Sequence, residues 1–186
     1  MKKQALALGM LLGGLFALSI GTRAARPSLA PPPAPEALVV GTFDSRGVVM
    51  AHVRSKAFQD YLRAQQADIG DAIERAREAG DLALVKELNA LGPAMQRRIH
   101  EQGFGSAPID ELMASLADRL PEVASAAGVD LIVSKWQLAY LAEGARTVDV
   151  TDALLALFEP TPDTLEGIHE LMKQDPVPLE DLKDDH

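Results

Sequence analysis

The stretch GVDLIVSKWQLAYLAEGARTVDVTDALLALF (Gly128–Phe158) decides the fold of this 186-residue chain. Val129–Ser134 is short and rich in branched apolar residues, and it reads as a strand. Ser134-Lys135 sits at a tight turn, and Trp136–Leu141 reads as a second strand. Trp136, Leu138 and Tyr140 would face one way, and Gln137, Ala139 and Leu141 the other. Glu143–Thr147 reads as a loop, and Val148–Val150 leads into a helix. Thr151 is the expected N-cap of that helix, Asp152 suits the positive end of its dipole, and Leu154, Leu155, Leu157 and Phe158 form its apolar face.

Upstream, Leu38–Phe43 (LVVGTF) reads as a buried strand. From about Val48 to Ala79 the pattern is helical, with Val53, Ala57, Tyr61, Ala64, Ala72 and Ala76 recurring mostly at three- and four-residue steps. Gly80-Asp81 supplies a helix stop and a helix start. The return helix, Leu82 to about Gln102, carries Val85, Leu88, Met95 and Ile99 on one side. The two limbs, each roughly 33–38 Å long at 1.5 Å per residue, describe an antiparallel hairpin. Gly92-Pro93 is the alternative tip. After Gly103–Pro108, a third helix spans Ile109–Ala127, bent or divided by Pro121 and ended by Gly128.

The N-terminus has Lys2 and Lys3, an uncharged apolar run from Ala5 to Ile20, and small residues at cleavage spacing. This is the design of a secretory signal peptide over 1–24, which places the rest of the chain in the periplasm. The alternative is an uncleaved signal that anchors the chain in the inner membrane. Residues 25–37 form a Pro-rich extended linker. At the other end, 159–186 is an acidic extension whose nine acids outweigh Lys173 and Lys183, a net charge of −7. A short helix opens it with Pro162 at the first helical position, and the proline-broken end reads as mobile. The chain as a whole carries −9 and no cysteine. Acidity of this kind argues against nucleic acid and anionic lipid surfaces as partners. Once the signal is cleaved, no stable membrane insertion is expected.

No motif points to catalysis. His52, His100, His169 and His186 form no HxxxH or HExxH pair, so no metal site is signalled. Asp149 and Asp152 stand at a helix start, where acids stabilise the N-terminus without chemistry. GxSxG is absent. The chain reads as a non-enzyme that needs no cofactor.

The order of these elements resembles the Skp/OmpH family of periplasmic chaperones. The residues that carry the likeness are Asp130-Leu131-Ile132-Val133, Leu138-Ala139-Tyr140 and Asp149-Val150-Thr151, with LVVGTF where the family has its first strand. The resemblance covers about 37–158 and implies an α+β fold. A small β-sheet body of three short strands per chain (38–53 and 109–158) would carry a projecting antiparallel α-helical hairpin, the coiled-coil arm (54–102). It further implies a homotrimer whose body is assembled through Val39, Val40, Leu131, Val133, Trp136, Leu138 and Tyr140. Its arms would hold unfolded outer-membrane or envelope proteins without ATP. The expected client surface is the inward face of the arm: Phe58, Tyr61, Ile69, Ile73, Leu84, Leu88 and Met95. The competing expectation is an envelope adaptor that docks a dedicated partner through Asp175–Leu182 of the acidic tail.

Overall fold

The structure, a computed structural model, describes residues 37–183. The expected signal peptide, the linker up to residue 36 and the last three residues lie outside the described part. Among the described residues, no helix is long and apolar enough to cross a membrane.

The first strand, β1 (Val39–Phe43), runs directly into α1 (Ser45–Arg54). Asp44 lies between them with extended backbone angles, and its carboxylate accepts from the Arg46 N–H, an N-cap that turns strand into helix within one residue. Ser55 ends α1 in the extended region and caps α2 (Lys56–Glu78), its hydroxyl accepting from the Phe58 N–H. The long helical run expected from Val48 to Ala79 is therefore two helices with an elbow at Ser55. The hairpin turns at Gly80, which takes φ 73°, a left-handed value that favours glycine. Asp81 then caps α3 (Leu82–Gly103) through the Leu84 N–H. Pro93 lies inside α3, so Gly92-Pro93 is not the tip.

The expected third helix is divided into α4 (Asp110–Ser115) and α5 (Leu120–Ala127), with Pro121 in the first turn of α5. Gly128 ends α5 with φ 64°. Two further strands follow, β2 (Leu131–Ser134) and β3 (Arg146–Asp149), and then α6 (Thr151–Leu155) and α7 (Pro162–Met172).

The sheet corrects the reading of the hairpin. Its order is β2-β1-β3, and both outer strands run parallel to β1. Trp136–Leu141 belongs to no strand. With β1 between them, the chain must leave the top of β2, return to the bottom of the sheet and start β3 there. Residues 135–145 make that return. The alternation of WQLAYL therefore marks no strand: Lys135–Gln137 form a turn, closed by the Gln137 N–H on the Ser134 carbonyl, and the residues after it pair with no strand. The third strand is instead RTVD, which polar composition disguised as loop.

Register places Val40, Thr42, Leu131, Val133, Thr147 and Asp149 on one face of the sheet. Val39, Gly41 and Phe43 occupy the other and are buried. That second face joins a core of Val48, Val49, Val150, Leu154, Leu155 and Ile168. Helix α1 lies at its centre, packed against α2, α3, α6 and α7. A Cβ at Gly47 would lie 2.6 Å from the Met172 sulfur and 3.3 Å from Ile168, so α1 and α7 approach as only glycine allows.

The expected acidic extension is thus part of the body. Ile168 is 1% exposed. The segment beyond α7, expected to be mobile, turns back: the Val177 N–H donates to the Phe104 carbonyl. Leu179 and Leu182 come within 2.6 and 3.1 Å of where a Cβ on Gly105 would stand.

Candidate functional site

Two regions concentrate side chains beyond the needs of simple packing. The first lies at the carboxyl ends of the strands. Arg46 is 1% exposed, and its guanidinium donates to both carboxylate oxygens of Asp44 at 3.1 and 2.8 Å. It also reaches the backbone carbonyls of Gln174 at 2.9 Å and Met172 at 3.4 Å. The Asp44 carboxylate takes Lys135 Nζ at 2.9 Å and the Trp136 indole N–H at 3.1 Å. Both cations lie over the Trp136 ring, at 5.1 Å for Arg46 and 4.5 Å for Lys135. Burial alone would push the Asp44 carboxyl up, but hydrogen bonds from Arg46, Lys135 and Trp136 outweigh it and lower the pKa to about 2.

Thr151 belongs to this cluster and is not the expected cap. It offers no capping bond to α6; its hydroxyl accepts from the Asp44 N–H at 3.0 Å instead. The Thr151 N–H is taken by the Asp149 carboxylate at 2.8 Å. The acid two residues earlier does the local work, and the threonine ties α6 to the end of β1. Every polar group of Asp44 and Arg46 is engaged within the protein, so the cluster is a clasp joining β1, α1, the turn after β2, and α7. No free nucleophile or base emerges from it.

The second region is the arm. Along α2, Phe58, Leu62, Gln65, Ile69 and Ala72 are half-buried and Ala76 is fully buried, and Ile73 is half-buried beside this row. In that row the spacing is four, three, four, three, four, the 3.5-residue repeat of a coiled coil. Of the alanines whose spacing marked this helix, Ala57 and Ala64 are exposed, and only Ala72 and Ala76 lie in the seam. Helix α3 answers with Val85, Leu88, Met95, Ile99 and Gln102, and the repeat falls on Gly92 where a side chain is missing.

That gap opens a cavity of about 480 Å³ halfway along the arm, lined by Leu62, Gln65, Ile69, Leu91 and Met95 among others. A second cavity of about 320 Å³ lies at the arm's base, where α1, α2, α3 and α4 meet. Met95 and Ile99 line both, so the two cavities adjoin along the arm, and together they make its trough.

Of the expected client residues, Phe58, Ile69, Ile73, Leu88 and Met95 are half-buried, whereas Tyr61 and Leu84 are 52% and 40% exposed. Leu62 and Leu91, absent from that expectation, complete the trough with Ile99. Of the expected body residues, Val39 is in the core and Val40, Val133 and Leu138 are half-buried. Leu131 is half exposed, Tyr140 is 80% exposed, and Trp136 belongs to the clasp. Sequence reasoning missed Asp44, Arg46 and Lys135; an acid and an arginine directly after a buried strand were the available signal. A partner docking on Asp175–Leu182 would first have to release the contacts this segment makes with Phe104 and Gly105.

Among the described residues, no group of His, Cys, Asp or Glu side chains is placed to hold a metal ion. No protein-family model matches the chain, and neither does any curated protein or solved structure.

Proposed function

We propose that the chain is a non-enzymatic, ATP-independent holdase of the periplasm that keeps apolar stretches of unfolded envelope or outer-membrane proteins in the trough of its helical arm. The observation that carries this reading is the trough itself. A hairpin that existed only to zip shut would fill its seam; this one leaves a gap at Gly92, places Gln65 beside it and exposes 48% of Leu91 at its edge. Thin packing lets the limbs part around varied apolar segments at small cost.

The homotrimer belongs to the same proposal. Both outer strands of the sheet have four residues and an outer side that nothing in the sheet pairs. Such short sheets are marginal alone, and shared edges between copies would remove the liability.

The test is aggregation of several unrelated β-barrel proteins diluted from urea, without ATP, beside the wild-type chain and Leu91→Lys. Leu91 is exposed enough for lysine to be tolerated, so the variant should melt as wild type does and protect several-fold less. Failure to protect any client at equimolar arms would sink the holdase. Light scattering would give a mass near three chains, and a monomer at micromolar concentration would sink the trimer.

A further inference from the structure

We propose that the cavity at the base of the arm is an anchor pocket for one uncharged aromatic side chain, preferably a phenol, carried by the polypeptide held in the trough. This inference rests on the holdase reading and names what that site selects.

The walls decide the chemistry. Val53, Phe58, Met95, Ile99 and Leu112 make most of the lining apolar, and the volume of about 320 Å³ is at the low end of ligand pockets. It has room for a ring and its neighbours, not for a helix. Aromatic rings gain from the edge and face of Phe58 and from the Met95 thioether, contacts that an aliphatic chain makes less well.

The charges decide against an ionic guest. Arg98 and Glu111 close on each other at 2.5 Å. The Gln102 amide is spent on the Pro108 carbonyl and the Ser115 hydroxyl on the Leu112 carbonyl. A carboxylate or ammonium entering the cavity would find no unpaired counter-charge and would lose its water.

One polar group in the lining is left over. His52 touches the Phe58 ring at 4.8 Å and the Phe158 ring at 5.5 Å, and its ring nitrogens make no hydrogen bond among the described residues. Burial holds its pKa below the ordinary 6.5, so the imidazole is neutral near pH 7, with one N–H donor and one bare nitrogen. A phenol is the side chain that complements this pair, apolar over its ring and able to donate or accept at its tip. A guest ring would extend the run Phe158, His52, Phe58, Tyr61, in which neighbouring centroids are 4.8 to 6.3 Å apart. Because Met95 and Ile99 line both cavities, a segment in the mid-arm groove can drop one side chain into the base without leaving the trough.

The experiment uses the full chain and a labelled apolar peptide of about fifteen residues with one Tyr, and its Phe, Leu and Ala variants at that position. Fluorescence anisotropy should show the Tyr peptide binding about tenfold tighter than the Ala peptide, with Phe and Leu between them. Free p-cresol should shift the Met95 methyl resonance and displace the Tyr peptide. Val53→Phe, which fills the cavity, should erase the preference for Tyr. Should that variant fold poorly, His52→Phe keeps the ring, removes the nitrogens and should make the Tyr and Phe peptides equal.

Equal binding of all four peptides, or a Met95 methyl unmoved by p-cresol, overturns the anchor while aggregation suppression still upholds the holdase. Absence of both peptide binding and aggregation suppression overturns the two readings together.

Discussion

Adjacent residues at the head of α1 should respond to substitution with opposite signs. Removing the Arg46 guanidinium, as in Arg46→Met, would strand the buried Asp44 carboxylate with Lys135 and Trp136 and leave the Met172 and Gln174 carbonyls without their donor. Breaking one side of a buried pair costs about 3–5 kcal/mol, so the urea midpoint should fall sharply. Ser45, its neighbour, is 2% exposed, and its hydroxyl is a buried polar atom without a partner. Ser45→Ala removes that burden and should be neutral or stabilising by about 1 kcal/mol in the same titration. The two titrating groups in this region set an acid profile. His52 has a depressed pKa in the folded chain, so its contribution is complete above 6.5 and lost as pH falls below that value. Asp44 adds a second loss, present above 3.8 and gone as pH falls through about 2, on the order of 2 kcal/mol. Thermal melts should therefore stay level from pH 8 to 6.5, dip below that, and fall again under pH 4. A single step near pH 4 would contradict the assignment. This region was poorly legible in the sequence because Asp44 and Arg46 look like turn residues until Lys135, Trp136 and the Met172 and Gln174 carbonyls, about 90 to 130 positions away, are brought to them.

At the scale of elements, period and punctuation were readable and pairing was not. β1, the Gly80 turn, the division at Pro121 and the start of α7 each rest on local chemistry that stays within a few residues. The run Trp136–Leu141 shows the limit: its alternation suits a strand, but with β1 between β2 and β3 the chain turns at Lys135–Gln137 and crosses instead of pairing. The arm shows another. Alanine spacing and large-residue spacing both fit a helix, but the seam belongs to the phase that buries more apolar surface, through Phe58, Leu62 and Ile69. The gap in that seam is open to test. A Cβ on Gly92 would meet nothing within 4 Å, so Gly92→Ala adds a methyl group without a clash. Alanine is favoured over glycine inside a helix by about 1 kcal/mol, and hydrogen exchange across residues 62–69 and 88–99 should slow accordingly. If the trough holds clients by opening there, the same variant should protect them less well although it is more stable.

For the whole molecule, the decisive contact runs between the first and last α-helices of the described residues, α1 and α7. Tail acidity suggested an appendage, because charge counts average over α7 and conceal Ile168, its one fully buried side chain. The body needs that helix three times over. Ile168 fills the core beside α1, Met172 and Ile168 make the closest contacts to Gly47, and Arg46 takes its outer acceptors from Met172 and Gln174. Two truncations separate these roles. Ending the chain at Gln174 keeps α7 and both carbonyls and removes Val177, Leu179 and Leu182 from the base of α3. The loss should be modest, about 1–3 kcal/mol for partly buried aliphatic contacts, and the arm's base should exchange faster while the sheet stays protected. Ending it at Glu159 removes Ile168 at about 2–5 kcal/mol and orphans the buried guanidinium at about 3–5 kcal/mol. A domain of this size is stable by about 5–15 kcal/mol, so that chain should be largely unfolded, with the helical signal of the arm reduced along with the body's. A cooperative, wild-type-like melt from the shorter chain would mean that the body closes without α7, and that residues 159–183 are the free extension their composition suggests.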